Sequence, residues 1–213
     1  LEPTEKEALE MKIKNLEYDT ASLGLLKANR EASTWEDPRL KEERKRLEGF
    51  YNQAVSSKDY GGQYLWATKL GYSEKEMSTL VNNRKASELS SVKPNAKKAF
   101  SNKWGVELKA VVDKKYGLMK SMTSVMTGDG EFDFMGQKFT SRQGFFNGFG
   151  LKEYDELREL PNDELKAYLD GLPIREQKAD GSTDYERMLE DPRRYETMVF
   201  NNAVHEGMTQ LYP

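Results

Sequence analysis

Apolar positions along this 213-residue chain recur mostly at helical spacing, and the exceptions mark one departure from helix. Leu9, Ile13, Leu16, Thr20 and Leu23 follow a Thr4/Glu7 capping box at alternating steps of four and three, which predicts a long helix with a narrow seam. Asp37-Pro38 then offers an N-cap with proline at the first helical position, and Leu40, Leu47, Tyr51 and Ala54 form the next stripe. Together they predict a helical hairpin. Gly61-Gly62 is expected to break or bend the second helix ahead of a short piece carrying Tyr64, Leu65 and Trp66, and Ser73 with Glu76 makes another capping box before Met77, Leu80 and Val81. After Pro94-Asn95, the residues Phe100, Trp104, Leu108, Val111, Met119, Met122 and Met126 share a stripe roughly 100° wide. That stripe predicts one continuous helix over 96–126.

Beyond Gly128 the period changes from helical to alternating. Phe132 and Phe134 face one way with Asp133 between them, and Met135-Gly136-Gln137 can turn the chain into Lys138 to Thr140, which predicts a small β-hairpin. Helical spacing returns with Leu157 and Leu160, then with Leu165, Tyr168, Leu169 and Leu172, giving two short helices separated by Pro161. A polar loop bounded by Asp170-Gly171, Pro173 and Asp180-Gly181 precedes a last helix from Asp191-Pro192 through Tyr195, Met198, Val199, Ala203 and Leu211.

The same pass locates the two features that bear on function. Six of the nine phenylalanines, Phe132, Phe134, Phe139, Phe145, Phe146 and Phe149, sit in the glycine-studded stretch 128–150. So concentrated an apolar load must pack on the rest of the chain or on another molecule, and these six are expected to form a protein interface. Charge is also uneven although the net is only -3: residues 84–120 carry +7 (ten cations, three carboxylates) and 129–196 carry -7 (ten cations, seventeen carboxylates). The two halves are expected to meet, within a chain or between subunits. Lys98, Lys109 and Lys120 repeat every eleven residues along one flank of the predicted 96–126 helix, with Lys103 and Lys114 opposite. They can snorkel beside a core contact or meet an acidic partner. They can equally straddle a nucleic-acid backbone while Trp104 or Tyr116 offers a stacking face.

Composition narrows the remaining classes. With 37% apolar and 32% charged residues and a mean hydropathy of -0.85, the chain suits solvated helices with narrow apolar faces rather than a compact α/β enzyme. The absence of cysteine removes disulfides, thiolate metal sites and cysteine nucleophiles, and no apolar run approaches the roughly 18 to 20 residues of a membrane span. A soluble protein, cytoplasmic or of a virion, is expected. The chain opens on Leu1 rather than methionine, as an excised or processed piece would.

Several motif fragments stop short of a site. STWEDPRL, Ser33 to Leu40, resembles the closing segment of a WW domain, a binder of proline-rich peptides. The earlier tryptophan and the central-strand aromatic pair are missing, and a turn with Trp35 near Pro38 accounts for the same residues. TGDGEFDF, Thr127 to Phe134, is similar to the second half of an EF-hand loop. Aligned on Gly130, however, it puts Val125 at the first ligand position and Gly136 where a bidentate glutamate is required. His205-Glu206 begins the zinc-protease pattern HExxH, but Thr209 stands at the second histidine and His205 is the only histidine in the chain. Carboxylate pairs such as Glu153 with Asp155 are too numerous to single out, and the phosphate-cradling glycine loops are absent.

The sequence therefore predicts a mainly α fold: an elongated helical hairpin and bundle over 1–127, a Phe/Gly-rich β-hairpin and loop over 128–150, and an acidic helical subdomain over 151–213. The expected function is a non-enzymatic structural or interaction subunit of a large assembly, without cofactor, metal or catalytic residues. Its partners are other protein subunits, itself included. A tailed-phage virion component, internal, ejection or portal-associated, is one setting that composition suits. The alternatives are a nucleic-acid-binding protein using the lysine flanks and a non-catalytic part of a larger hydrolase.

Overall fold

The computed structural model describes residues 38–128 and 130–213. The predicted first helix, the WW-like tryptophan and Asp129 lie outside the described residues. Ten helices and one two-stranded hairpin make up the rest, so the chain is mainly α. They are α1 (Pro38–Ser56), α2 (Tyr60–Lys69), α3 (Glu74–Ser90), α4 (Pro94–Trp104), α5 (Leu108–Met126), β1 (Phe132–Phe134), β2 (Gln137–Phe139), α6 (Arg142–Gly148), α7 (Tyr154–Leu157), α8 (Asn162–Asp170), α9 (Tyr185–Leu189) and α10 (Pro192–Leu211).

Local sequence chemistry sets most of these boundaries. The chain turns between α1 and α2 at Lys58 (φ 56°), and the Asp59 carboxylate caps α2 by accepting from Gly62 N at 2.8 Å. The break thus precedes Gly61-Gly62 rather than falling on them. Those glycines are buried in the first turn of α2, where a Cβ on Gly61 would lie 2.0 Å from Asn201 Oδ1 of α10, so they permit close helix packing. Ser73 and Glu76 form the expected capping box at α3, with Glu76 N to Ser73 Oγ at 3.2 Å and Ser73 N to Glu76 Oε1 at 3.1 Å. Asp191 caps α10 with Pro192 at its first position.

The hairpin is in register Phe132↔Phe139, Asp133↔Lys138 and Phe134↔Gln137. Its two-residue turn, Met135 (φ 48°) and Gly136 (φ 83°), has both central residues at positive φ, as the twist of a tight hairpin favours.

The continuous 96–126 helix requires correction. Gly105 adopts φ 70° directly after Trp104, its N–H bonding Ser101 O at 2.8 Å, so α4 ends there and Glu107 starts α5 as a separate helix. The stripe divides with it: Met119, Met122 and Met126 are buried, whereas Phe100, Trp104, Leu108 and Val111 are half-buried.

α2 occupies the middle, touching α1, α3, α5 and α10, and α5 packs on α3, α10, α6 and β1. One hydrophobic cluster runs from Tyr64 and Leu65 of α2 through Met122 and Met126 of α5, the hairpin and α6 to Leu169, Met188 and Phe200. It spans all three sequence segments. A smaller cluster of Leu47, Trp66 and Leu70 joins α1 to α2, with Phe50 stacked on Trp66 at 5.0 Å. Trp66 Nε1 donates to Thr197 Oγ1 of α10 at 2.9 Å, and a buried Arg193–Glu43 ion pair ties α10 to α1.

Candidate interaction surface

The six phenylalanines come together within the chain. Phe132, Phe134, Phe139, Phe145 and Phe146 are all under a tenth exposed, and Phe149 is half-buried against the same cluster. Phe145 has four ring neighbours, Phe149 at 5.0 Å, Phe139 and Phe146 at 5.9 Å and Phe132 at 6.4 Å. Close approach explains one of the local glycines: a Cβ on Gly148 would sit 2.3 Å from the Phe139 ring. Of the two kinds of cover expected, the rest of the chain or another molecule, the chain itself supplies packing through the hairpin, α6 and α5, so their burial does not require the expected protein interface.

Beside this cage lies an ion network that the sequence did not disclose. Glu196 of α10, 2% exposed, accepts from Lys69 Nζ of α2 at 2.9 Å and from Arg142 Nη1 of α6 at 3.3 Å. Arg142 also grips Glu153 bidentately, at 2.5 and 2.9 Å, donates to Met126 O at 3.1 Å and lies over the Phe146 ring at 4.8 Å. Burial pushes the Glu196 carboxyl up, but Lys69 and Arg142 outweigh it and hold the group below the usual carboxylate range. Its members are far apart in the chain, so no local motif could have announced it. A second polar knot joins Tyr168 and Tyr195 through their hydroxyls at 2.8 Å, and Tyr195 donates on to Lys152 O at 2.6 Å.

Two clefts are lined in part by carboxylates. The larger, about 660 Å³ between α2, α3 and α5, is lined by Tyr64, Tyr72, Tyr116, Lys85 and Lys120 among others. Of its carboxylates, Asp113 pairs with Lys85 at 3.2 Å and Glu74 is exposed in the first turn of α3. In the second, about 390 Å³, Asp59 caps α2 and accepts from Asn201 at 3.0 Å, while Glu176 pairs with Arg187 at 3.4 Å and Arg194 at 4.0 Å. Neither cleft brings two free carboxylates together. His205 is exposed on α10, with Thr209 bonding its carbonyl at 2.9 Å as in an ordinary helix, and among the described residues no cluster of acids and histidine is placed for a metal.

The basic residues are arranged differently. Lys98, Lys103, Lys109, Lys114 and Lys120 are all exposed, as is Lys93, and none makes an ion pair among the described residues. The break at Gly105 removes the eleven-residue register of Lys98 with Lys109 and of Lys103 with Lys114, but Lys109 and Lys120 keep it within α5. Lys120 stands on the rim of the larger cleft.

α4 carries the pattern further, since it has no buried residue and its main contact with the body is along α5. Its aromatic side chains, Phe100 and Trp104, pair with each other at 6.3 Å and belong to neither core cluster, and Lys103 lies 5.1 Å from the Trp104 ring. Among the described ion pairs, those of the 84–120 segment close within it, Lys85–Asp113 and Lys115–Glu88, and none reaches the acidic half. The predicted meeting of the two charged halves is not made by ion pairs inside one described chain.

No protein-family model matches the chain, and neither a curated protein nor a solved structure matches it. No helix among the described residues is long and apolar enough to cross a membrane.

Proposed function

We propose that this protein is a non-catalytic interaction subunit of a larger assembly and that it docks through the corner formed by α4 and the start of α5. The observation that carries this reading is α4 itself. An isolated eleven-residue helix is marginal in water, so helices of this length owe their stability to an apolar face that packs on something. Here that face is the Phe100–Trp104 pair, outside both core clusters and bordered by lysines that make no ion pair among the described residues. A buried aromatic anchor with a charged rim is the usual composition of a protein docking site. A tailed-phage particle is one assembly that the charged, cysteine-free composition suits.

The test is the triple variant Lys98→Glu/Lys103→Glu/Lys109→Glu. As exposed positions they are expected to leave unfolding free energy within about 0.5 kcal/mol each. Association in solution, measured by light scattering, or retention on an immobilised polyanion is expected to fall sharply. A variant that behaves like the wild type in both assays contradicts the proposal.

A further inference from the structure

We infer that the partner received by the α4–α5 corner is a second copy of this chain, which presents its α7–α8 segment; the inference rests on the reading of that corner as a docking surface. The segment from Tyr154 to Asp170 contains six carboxylates against only Arg158 and Lys166, and Asp155, Glu156, Glu159, Asp163 and Glu164 are all exposed. None of those five makes an ion pair among the described residues. The two cations do not neutralise them, since Arg158 lies over Tyr154 at 5.6 Å and Lys166 over Tyr185 at 5.6 Å.

The chain thus displays an open basic face and an open acidic face, and no described ion pair joins them. Complementary potentials of this kind steer encounter and select register, while like-charged alternatives are rejected. The acidic face also has an apolar element for the Phe100–Trp104 pair to meet, because Leu160 and Leu165 are only half-buried among the carboxylates. Nucleic acid could satisfy the lysines, but it would leave the acidic face unmatched, whereas a second copy satisfies both.

Each copy carries both patches, so the contact is either reciprocal, which gives a two-fold dimer, or passed from one neighbour to the next, which gives a ring or a filament. Its strength should fall with salt, as contacts between exposed charges do.

The test uses two variants of the 213-residue chain, Lys98→Glu/Lys103→Glu/Lys109→Glu and Asp155→Lys/Glu159→Lys/Asp163→Lys, with mass read by sedimentation velocity and folding by circular dichroism. The wild type is expected to associate, each variant alone to sediment as a single chain, and an equimolar mixture to associate again, since the intact corner of one variant meets the intact acidic face of the other. A mixture that stays monomeric overturns the second copy as partner. So does a wild type that is monomeric at every concentration. If that monomer binds duplex DNA and the lysine variant loses binding, the partner is nucleic acid and the corner remains a docking surface. If DNA binding is absent or indifferent to the lysines, the docking reading fails as well.

Discussion

Glu196→Gln is expected to destabilise the protein by about 3 to 5 kcal/mol, the range for breaking one side of a buried ion pair. The carboxylate is the shared acceptor of Lys69 and Arg142, and through them it fastens α10 to α2 and α6. Glutamine keeps the shape but removes the charge, taking from Lys69, 13% exposed, its carboxylate contact at 2.9 Å and from Arg142 its contact at 3.3 Å, while the Arg142–Glu153 pair remains. Glu153→Gln should cost less, because Glu153 is 26% exposed and water can replace part of what is lost.

Acid supplies an independent check. Glu196 is held below its ordinary value of 4.5, so its contribution is fully present above that pH and is lost as pH falls through the lower folded value. Urea denaturation at a series of pH values should therefore show the gap between wild type and Glu196→Gln narrowing as the solution is acidified below about pH 4.5. A gap that is small at pH 7, or that widens in acid, contradicts this role.

Phe145→Ala is expected to cost a similar amount, about 3 to 5 kcal/mol, for a fully buried phenylalanine. Its ring is 0% exposed at the centre of the cage, so the neighbours that surround it cannot all collapse into the space it leaves. Phe149→Ala should cost distinctly less, as that ring is half-buried. Chemical denaturation measures both. The opposite outcome, a Phe145→Ala chain that melts normally but falls out of an assembly, would return the phenylalanines to an interface.

The cage illustrates what a sequence can and cannot disclose. Alternation in Phe132-Asp133-Phe134, followed by Met135-Gly136, made the hairpin legible because a strand repeats every two residues and a tight turn needs positive φ. The capping box at Ser73 and the Asp191-Pro192 helix start were legible for a similar reason, since their bonds close within one helical turn. Whether the phenylalanines faced inward was not legible. Their density shows how much apolar surface must be covered, but the cover comes from one another and from α5, brought in by tertiary packing.

The break at Gly105 was hidden differently. Phe100, Trp104, Leu108 and Val111 keep steps of four, four and three across it, so the apolar phase survives a change of helix. A lone glycine carries little weight against so regular a stripe, and only its positive φ reveals that α4 stops there. The consequence is functional, because separating α4 from α5 takes Phe100 and Trp104 off the core and leaves them beside the lysines. Of the candidate site, the five lysines were legible by number and sign, while their lack of described ion pairs depended on where every carboxylate had gone.

The central claim is that α4 is an exposed docking element, and hydrogen exchange of residues 94–104 tests it most directly. In dilute solution the amides of α4 are expected to exchange much faster than those of α2 and α10, and to become protected as protein concentration rises, with Lys98→Glu/Lys103→Glu/Lys109→Glu abolishing the change. Exchange in α4 that is as slow as in α2 at every concentration, or that ignores both concentration and the lysine substitutions, would contradict the account.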